Sequence, residues 1–264
     1  MTRSPAPGPH RGRWIAAAIV AALSGPAVHA VEPNIYINRG EWFSALSGNG
    51  TTGDSGPDRD FDLDQTFDLD LDSPVASLDS FLRVGRSRFL LSWTQGRNTG
   101  TNKLKDPLVF DGTTFPAGDK LRTTTHLERW RAMYGRPLLN TAKLAIGFLA
   151  GLEDYIVEQD ARASGTGSET VKVDSRVPII GASLTWLPAR FFRIYGEATG
   201  TNMSSGGVDS RLINAYVRAE YDLYADLLAL SVGYHYAITE VQDEDEADFD
   251  LQQKGLTAGL TFKL

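Results

Sequence analysis

The sequence predicts an all-β chain, an antiparallel up-and-down transmembrane β-barrel of about ten strands, with about eight or twelve as the alternatives. Three observations carry that prediction. The last stretch, QQKGLTAGLTFKL, puts Leu256, Ala258, Leu260, Phe262 and Leu264 on one face and Gln253, Gly255, Thr257, Gly259, Thr261 and Lys263 on the other. A strand alternates its side chains between two faces, so a strand apolar to its last residue needs an apolar medium outside it. An export signal opens the chain, and short and long connections alternate along it.

The export signal occupies residues 1–30. Arg3, Arg11 and Arg13 form a positive region, residues 14–23 a short apolar core, and Val28 and Ala30 a cleavage pattern, so cleavage is expected after Ala30. Residues 31–264 are then the barrel domain. That apolar core is too short to span a bilayer as a helix, and no later segment reaches the roughly twenty apolar residues a membrane helix requires.

The first strand is expected over residues 34–46, where the alternation slips near Gly40 as at a bulge. Ala76, Leu78, Leu82 and Val84 alternate with Ser77, Asp79, Phe81 and Arg83, and Phe89, Leu91 and Trp93 with Arg88, Ser92 and Thr94. Over residues 121–134, Thr123, Thr125 and Leu127 are out of phase with Trp130, Ala132 and Tyr134, which leaves a bulge or a loop end as readings. Ala142, Leu144, Ile146, Phe148, Ala150 and Leu152 make the next apolar face, opposite Lys143, Gly147, Leu149 and Glu153. Four more faces follow: Ile180 to Trp186, Ile194 with Ala198, Ile213 to Leu223, and Leu228 to Ile238.

Short joints are expected at 85–87, 135–140, 187–190 and 224–227. Longer polar joints are expected at 47–72, 105–120, 161–169, 202–209 and 242–248. Membrane barrels have short periplasmic turns and longer outer loops. A soluble barrel would alternate too, with its apolar face inward. Against it stand polar faces rich in Gly, Ser and Thr, and aromatic residues near strand ends: Trp42, Phe43, Trp93, Trp130, Tyr134, Trp186, Phe191, Phe192, Tyr221 and Tyr224.

The chain has a formal charge of −7 and no cysteine. The charge argues against a nucleic-acid partner, and the absence of thiols removes disulfides and thiolate metal sites. No cofactor motif is present.

The terminal octet resembles the C-terminal signal by which bacterial outer-membrane proteins are recognised for assembly. Thr257, Gly259, Phe262 and Leu264 match it, with Leu264 in place of the usual final aromatic. The mature chain is similar at the level of pattern to the small bacterial outer-membrane β-barrel superfamily, which has eight- and ten-stranded members. The opening Gly40-Glu41-Trp42-Phe43, followed by an acidic Asp-Leu-Asp stretch, resembles members of it whose activity is uncharacterised. The resemblance implies the outer membrane of a Gram-negative bacterium, with the assembly machinery, outer-membrane lipid and lipopolysaccharide as partners and a monomeric state.

Polar strand faces carry Asp79, Arg83, Arg88, Lys143, Glu153, Arg193, Glu197, Arg218, Glu220, Asp222 and Lys263. Buried charges must be paired or hydrated, so these residues read as a salt-bridged network filling the lumen, or as a narrow ion path lined by both signs. Residues 58–72 place Asp60, Asp62, Asp64, Asp68, Asp70 and Asp72 opposite Phe61, Leu63, Phe67, Leu69 and Leu71. That acidic outer loop suits hard cations but lacks the spacing of an EF-hand, so no metal site is assigned. His126 and His235 are the histidines left after the signal. Ser231 and His235 share a face but stand about 13 Å apart, too far for a nucleophile and its base.

A non-enzymatic reading follows: a narrow channel or passive envelope component with a charged lumen. The alternative is a ligand- or partner-binding structural barrel acting through its acidic outer loops. A lipid-modifying barrel enzyme is the third.

Overall fold

The computed structural model describes residues 34–52, 60–63, 66–69, 73–205, 208–224, 227–243 and 247–263. The export signal, Asp64, Asp70, Asp72 and Leu264 lie outside them. Every regular element among the described residues is a strand: β1 (Asn34–Thr52), β2 (Asp60–Asp62), β3 (Pro74–Val84), β4 (Ser87–Lys103), β5 (Leu108–Phe110), β6 (Thr113–Phe115), β7 (Lys120–Asn140), β8 (Leu144–Ala163), β9 (Gly167–Ala189), β10 (Phe192–Ser205), β11 (Val208–Tyr224), β12 (Leu228–Asp243) and β13 (Ala247–Lys263). The long strands pair with their chain neighbours in the order β13-β12-β11-β10-β9-β8-β7-β4-β3-β1, and β13 pairs back onto β1. Ten antiparallel strands therefore close a barrel, which leaves no sheet edge to satisfy in an apolar medium.

The closing seam runs without a break from Tyr36↔Lys263 to Thr52↔Ala247. The slip expected at Gly40 is therefore not a bulge. It arises because Arg39 and Glu41 point outward while Trp42 and Leu46 are buried inside. β7 likewise pairs with β4 in one unbroken register. Its apparent change of phase has another cause.

On most of the long strands the apolar side changes partway along. Near the short turns the apolar residues face out: Leu152 on β8, Ile180 on β9, Val217 on β11, Val232 on β12 and Leu256 on β13 are exposed. Toward the other end they face in, with Leu121 and Leu127 on β7, Tyr155 and Val157 on β8, Val171 and Val173 on β9, Leu212 on β11 and Phe249 and Leu251 on β13 forming a buried core. A barrel in lipid is apolar outside, and a barrel in water is apolar inside. Most of the strands here satisfy both conditions in sequence. The 23 residues of β9 stand roughly 55 Å tall at a rise of about 3.3 Å and a tilt of roughly 40°, against an apolar band of about 25 Å.

The outer connections expected at 161–169, 202–209 and 242–248 are thus largely strand. β8 and β9 continue to Ala163 and Gly167. The short joint expected at 135–140 lies later, because β7 runs to Asn140; Thr141 Oγ1 then accepts the Leu144 amide at 3.0 Å in that turn. Gly85 in the β3–β4 turn has φ of 60°, a left-handed value that favours glycine.

Two excursions remain. β2 pairs with Asn49–Thr51 of β1, and the chain beyond it turns inward, where Phe61, Leu63, Phe67 and Leu69 are buried. The β5–β6 hairpin adds Leu108, Phe110 and Phe115 to the same cluster. The Phe67 ring lies 4.9 Å from that of Phe61 and 6.3 Å from that of Phe110.

Candidate functional site

The barrel interior is built in three layers. Nearest the short turns is a cavity of about 250 Å³, lined by Tyr36, Arg83, Arg88, Arg193, Arg218 and Glu220 among others. Arg83 and Arg88 sit directly opposite each other across β3 and β4. Arg88 donates to Thr185 Oγ1 at 3.1 Å, and Arg193 donates to Glu220 Oε2 at 3.3 Å with its guanidinium 5.2 Å from the Tyr36 ring centre. Asp222 and Lys263 pair with each other nearby.

The middle layer is a closed ionic network. Arg218 lies 3.5 Å from Asp79 Oδ2, and its Nε lies 2.9 Å from Glu220 Oε1 in an ion pair too bent to be a hydrogen bond. The rings of Phe81, Tyr195 and Tyr216 stand around that guanidinium at 5.4–5.7 Å. Arg131 donates to Glu197 Oε1 at 2.9 Å, and the Tyr195 hydroxyl donates to Glu197 Oε2 at 2.7 Å. Arg129 Nε donates to Glu153 Oε1 at 2.8 Å. Across the seam, Asn38 Nδ2 donates to Ser231 Oγ and Thr261 Oγ1, both at 2.8 Å. Trp42 stacks on His235 with ring centres 4.1 Å apart, and His235 Nε2 lies 2.7 Å from Asn214 Oδ1. Every ionic side chain here has its partner within the wall, as charges sheltered from water require.

The outer layer is the apolar core with its inward plug. Thr123 Oγ1 donates to the Phe67 carbonyl and Asn102 Nδ2 to the Thr66 carbonyl, which ties the plug to β7 and β4. Beside it lies an outer vestibule of about 860 Å³ whose lining includes Phe61 and Phe249 and the charged residues Asp62, Asp209, Glu240, Asp248, Asp250 and Arg211. Those of β11, β12 and β13 alternate with the inward-buried Ser210, Val241, Phe249 and Leu251 and so face the other side of the wall. Arg211 is paired with Glu240 at 3.0 Å.

Of the charges singled out in the sequence, Asp79, Arg83, Arg88, Glu153, Arg193, Glu197, Arg218, Glu220, Asp222 and Lys263 lie on inward faces of the wall. Lys143 does not. It sits exposed in the turn between β7 and β8, because β8 begins only at Leu144. Among the acidic residues, Asp60 lies in β2, Asp62 lines the outer vestibule, and Asp68 is exposed with φ of 48°. Trp42, expected at a strand-end girdle, is instead 1% exposed in the lumen.

Arg129 and Arg131 were missed in the sequence because the phase of β7 was read as broken. The unbroken odd-numbered phase from Leu121 to Gly135 would have placed both inside. His126 faces outward, 4.0 Å from Glu128, whose Oε1 also accepts from the indoles of Trp93 and Trp130. Among the described residues neither that histidine nor the stacked His235 has a serine or threonine hydroxyl as a hydrogen-bond partner.

No known family matches the chain, and no curated protein does. Solved structures do. The outer membrane protease OmpT from Escherichia coli superposes with a TM-score of 0.55 at 13% identity, over 90% of this chain and 99% of that one. The translocator domain of the autotransporter NalP from Neisseria meningitidis gives 0.47 at 11% identity, over 96% of each chain. Ail, the attachment invasion locus protein of Yersinia pestis, gives 0.37 at 10% identity, over 88% and 100%. The protease superposition, together with the ten paired strands, establishes the fold: the chain is built as a closed, antiparallel ten-stranded β-barrel like that of the outer membrane protease.

Proposed function

We propose that this chain is a plugged, non-conducting barrel of the Gram-negative outer membrane that binds a cationic ligand or partner at its outer vestibule. The observation that carries this reading is a recess whose charged lining is acidic in all but one residue, with Asp62, Asp209, Glu240, Asp248 and Asp250 beside the apolar Phe61 and Phe249. Asp209 and Asp250 are exposed in that lining, and Arg211 is its one basic residue. Acidic groups beside a low-dielectric surface concentrate field and attract cations. The charged lumen beneath it then has a structural role: it fills the inside of a barrel too narrow to stay open.

The test is titration of the refolded protein in detergent with trilysine and, separately, with triglutamate. Trilysine is expected to bind, and its affinity should fall with salt and drop several-fold in Asp209→Asn/Asp250→Asn. Equal binding of both peptides, or none of either, would remove the proposal.

A further inference from the structure

The outward face of β1 carries two neighbouring opposite charges within the apolar band, where each other strand carries at most one charge. Where β1 crosses the apolar band its outward residues are Ile35, Ile37, Arg39, Glu41 and Phe43, all exposed or partly so. The register fixes the depth of the two charges. Arg39 lies between Leu260 of β13 and Leu78 of β3, and Glu41 lies between Ala258 and Ala76. Leu256, Leu260 and Phe262 on one side and Leu78 and Val84 on the other are exposed apolar residues of that same band. Arg39 and Glu41 are therefore near its middle. At this depth the outward positions of the other described strands carry apolar, aromatic or small side chains, except Arg136 of β7, which is exposed opposite Phe148 of β8. Among the described residues neither Arg39 nor Glu41 has an ion-pair or hydrogen-bond partner.

Charges facing hydrocarbon destabilise a barrel according to depth, and those that persist inside a membrane face a protein partner or a polar cavity. We propose that this face of β1 is an interface with a second copy of the chain, locked by Arg39 and Glu41. Two copies inserted the same way up are related by a two-fold axis along the membrane normal. Arg39 and Glu41 are about 7 Å apart along a strand tilted by roughly 40°, so Glu41 is displaced sideways as well as outward. The two-fold then sets Arg39 of each copy beneath the partner's Glu41. Two arginines and two glutamates make a neutral ring shielded from lipid. Ala76 and Ala258 flank Glu41 and leave the wall flat there, which lets two backbones approach closely. The sequence alone suggested a monomer; this face argues for a dimer.

The test reads oligomeric state in lipid nanodiscs and vesicles by single-molecule subunit counting. Wild-type protein is expected to be dimeric, and a monomer at every protein-to-lipid ratio would overturn the proposal, including the case in which Arg39 and Glu41 pair only within one copy. R39E and E41R should each be monomeric alone and form a heterodimer when mixed, since one then carries only carboxylates and the other only guanidinium groups. Should either reversal fail to assemble, R39L/E41L, whose face is fully apolar, should insert and dimerise at least tenfold more weakly; unchanged dimerisation would overturn the ionic lock. The chain has no cysteine, so Phe43→Cys should cross-link between copies through a long bifunctional maleimide, while Ile180→Cys on the far wall should not. Equal cross-linking at both positions would contradict the interface.

Discussion

Glu153 has no exposed surface and accepts from Arg129, so the two residues stand or fall together. Removing one partner of a buried ion pair strands the other, at a cost of about 3–5 kcal/mol. Glu153→Leu should therefore lower the urea midpoint of unfolding in detergent, and Arg129→Leu/Glu153→Leu should recover most of the loss. An equal loss in both variants would mean that the pair contributes by shape alone. Arg83 and Arg88 make the opposite case. Like charges directly across two strands oppose folding by roughly 0.2–1 kcal/mol. Arg83→Gln should thus leave the barrel as stable or slightly more so, read from the same unfolding midpoint. At this scale the sequence was legible wherever one strand face stayed polar, as for Arg218 and Glu220 on β11. It was not legible for Arg129 and Arg131, whose strand changes its apolar side just before them.

That change of side is the main lesson at the scale of the element. A rule tuned to lipid expects outward apolar residues along the whole strand, and it meets inward ones at Leu121 and Leu127 because β7 has left the bilayer by then. The same inversion turned three expected outer loops into strand. The acidic stretch at 58–72 was read as a row of carboxylates, whereas its apolar residues Phe61, Leu63, Phe67 and Leu69 set its position by burying themselves in the barrel. Gly100 makes that possible. A Cβ there would stand 2.2 Å from the Phe67 carbonyl and 2.5 Å from that of Asp68. Gly100→Val should displace the plug while the barrel persists, seen as faster proteolysis within residues 60–72 with unchanged heat-modifiable migration. Unchanged proteolysis would show that the plug does not depend on this contact.

For the whole molecule, closure was readable in advance from alternation and an even strand count, because both follow from the demand that no backbone group be left unpaired in lipid. The extent of the protruding half was not, since a soluble barrel segment carries the opposite pattern and cancels the signal. Outward-facing charge at Arg39 and Glu41 was hidden in the same way: it looked like a bulge. The central claim is that the lumen is shut by an ionic layer below and an apolar plug above. Single-channel recording of the refolded protein in planar bilayers tests this most directly. The wild-type barrel should stay silent across voltage and salt, and deletion of residues 60–69 alone should leave it silent, because the ionic layer below remains. Reproducible ohmic steps from the wild-type protein would contradict the account.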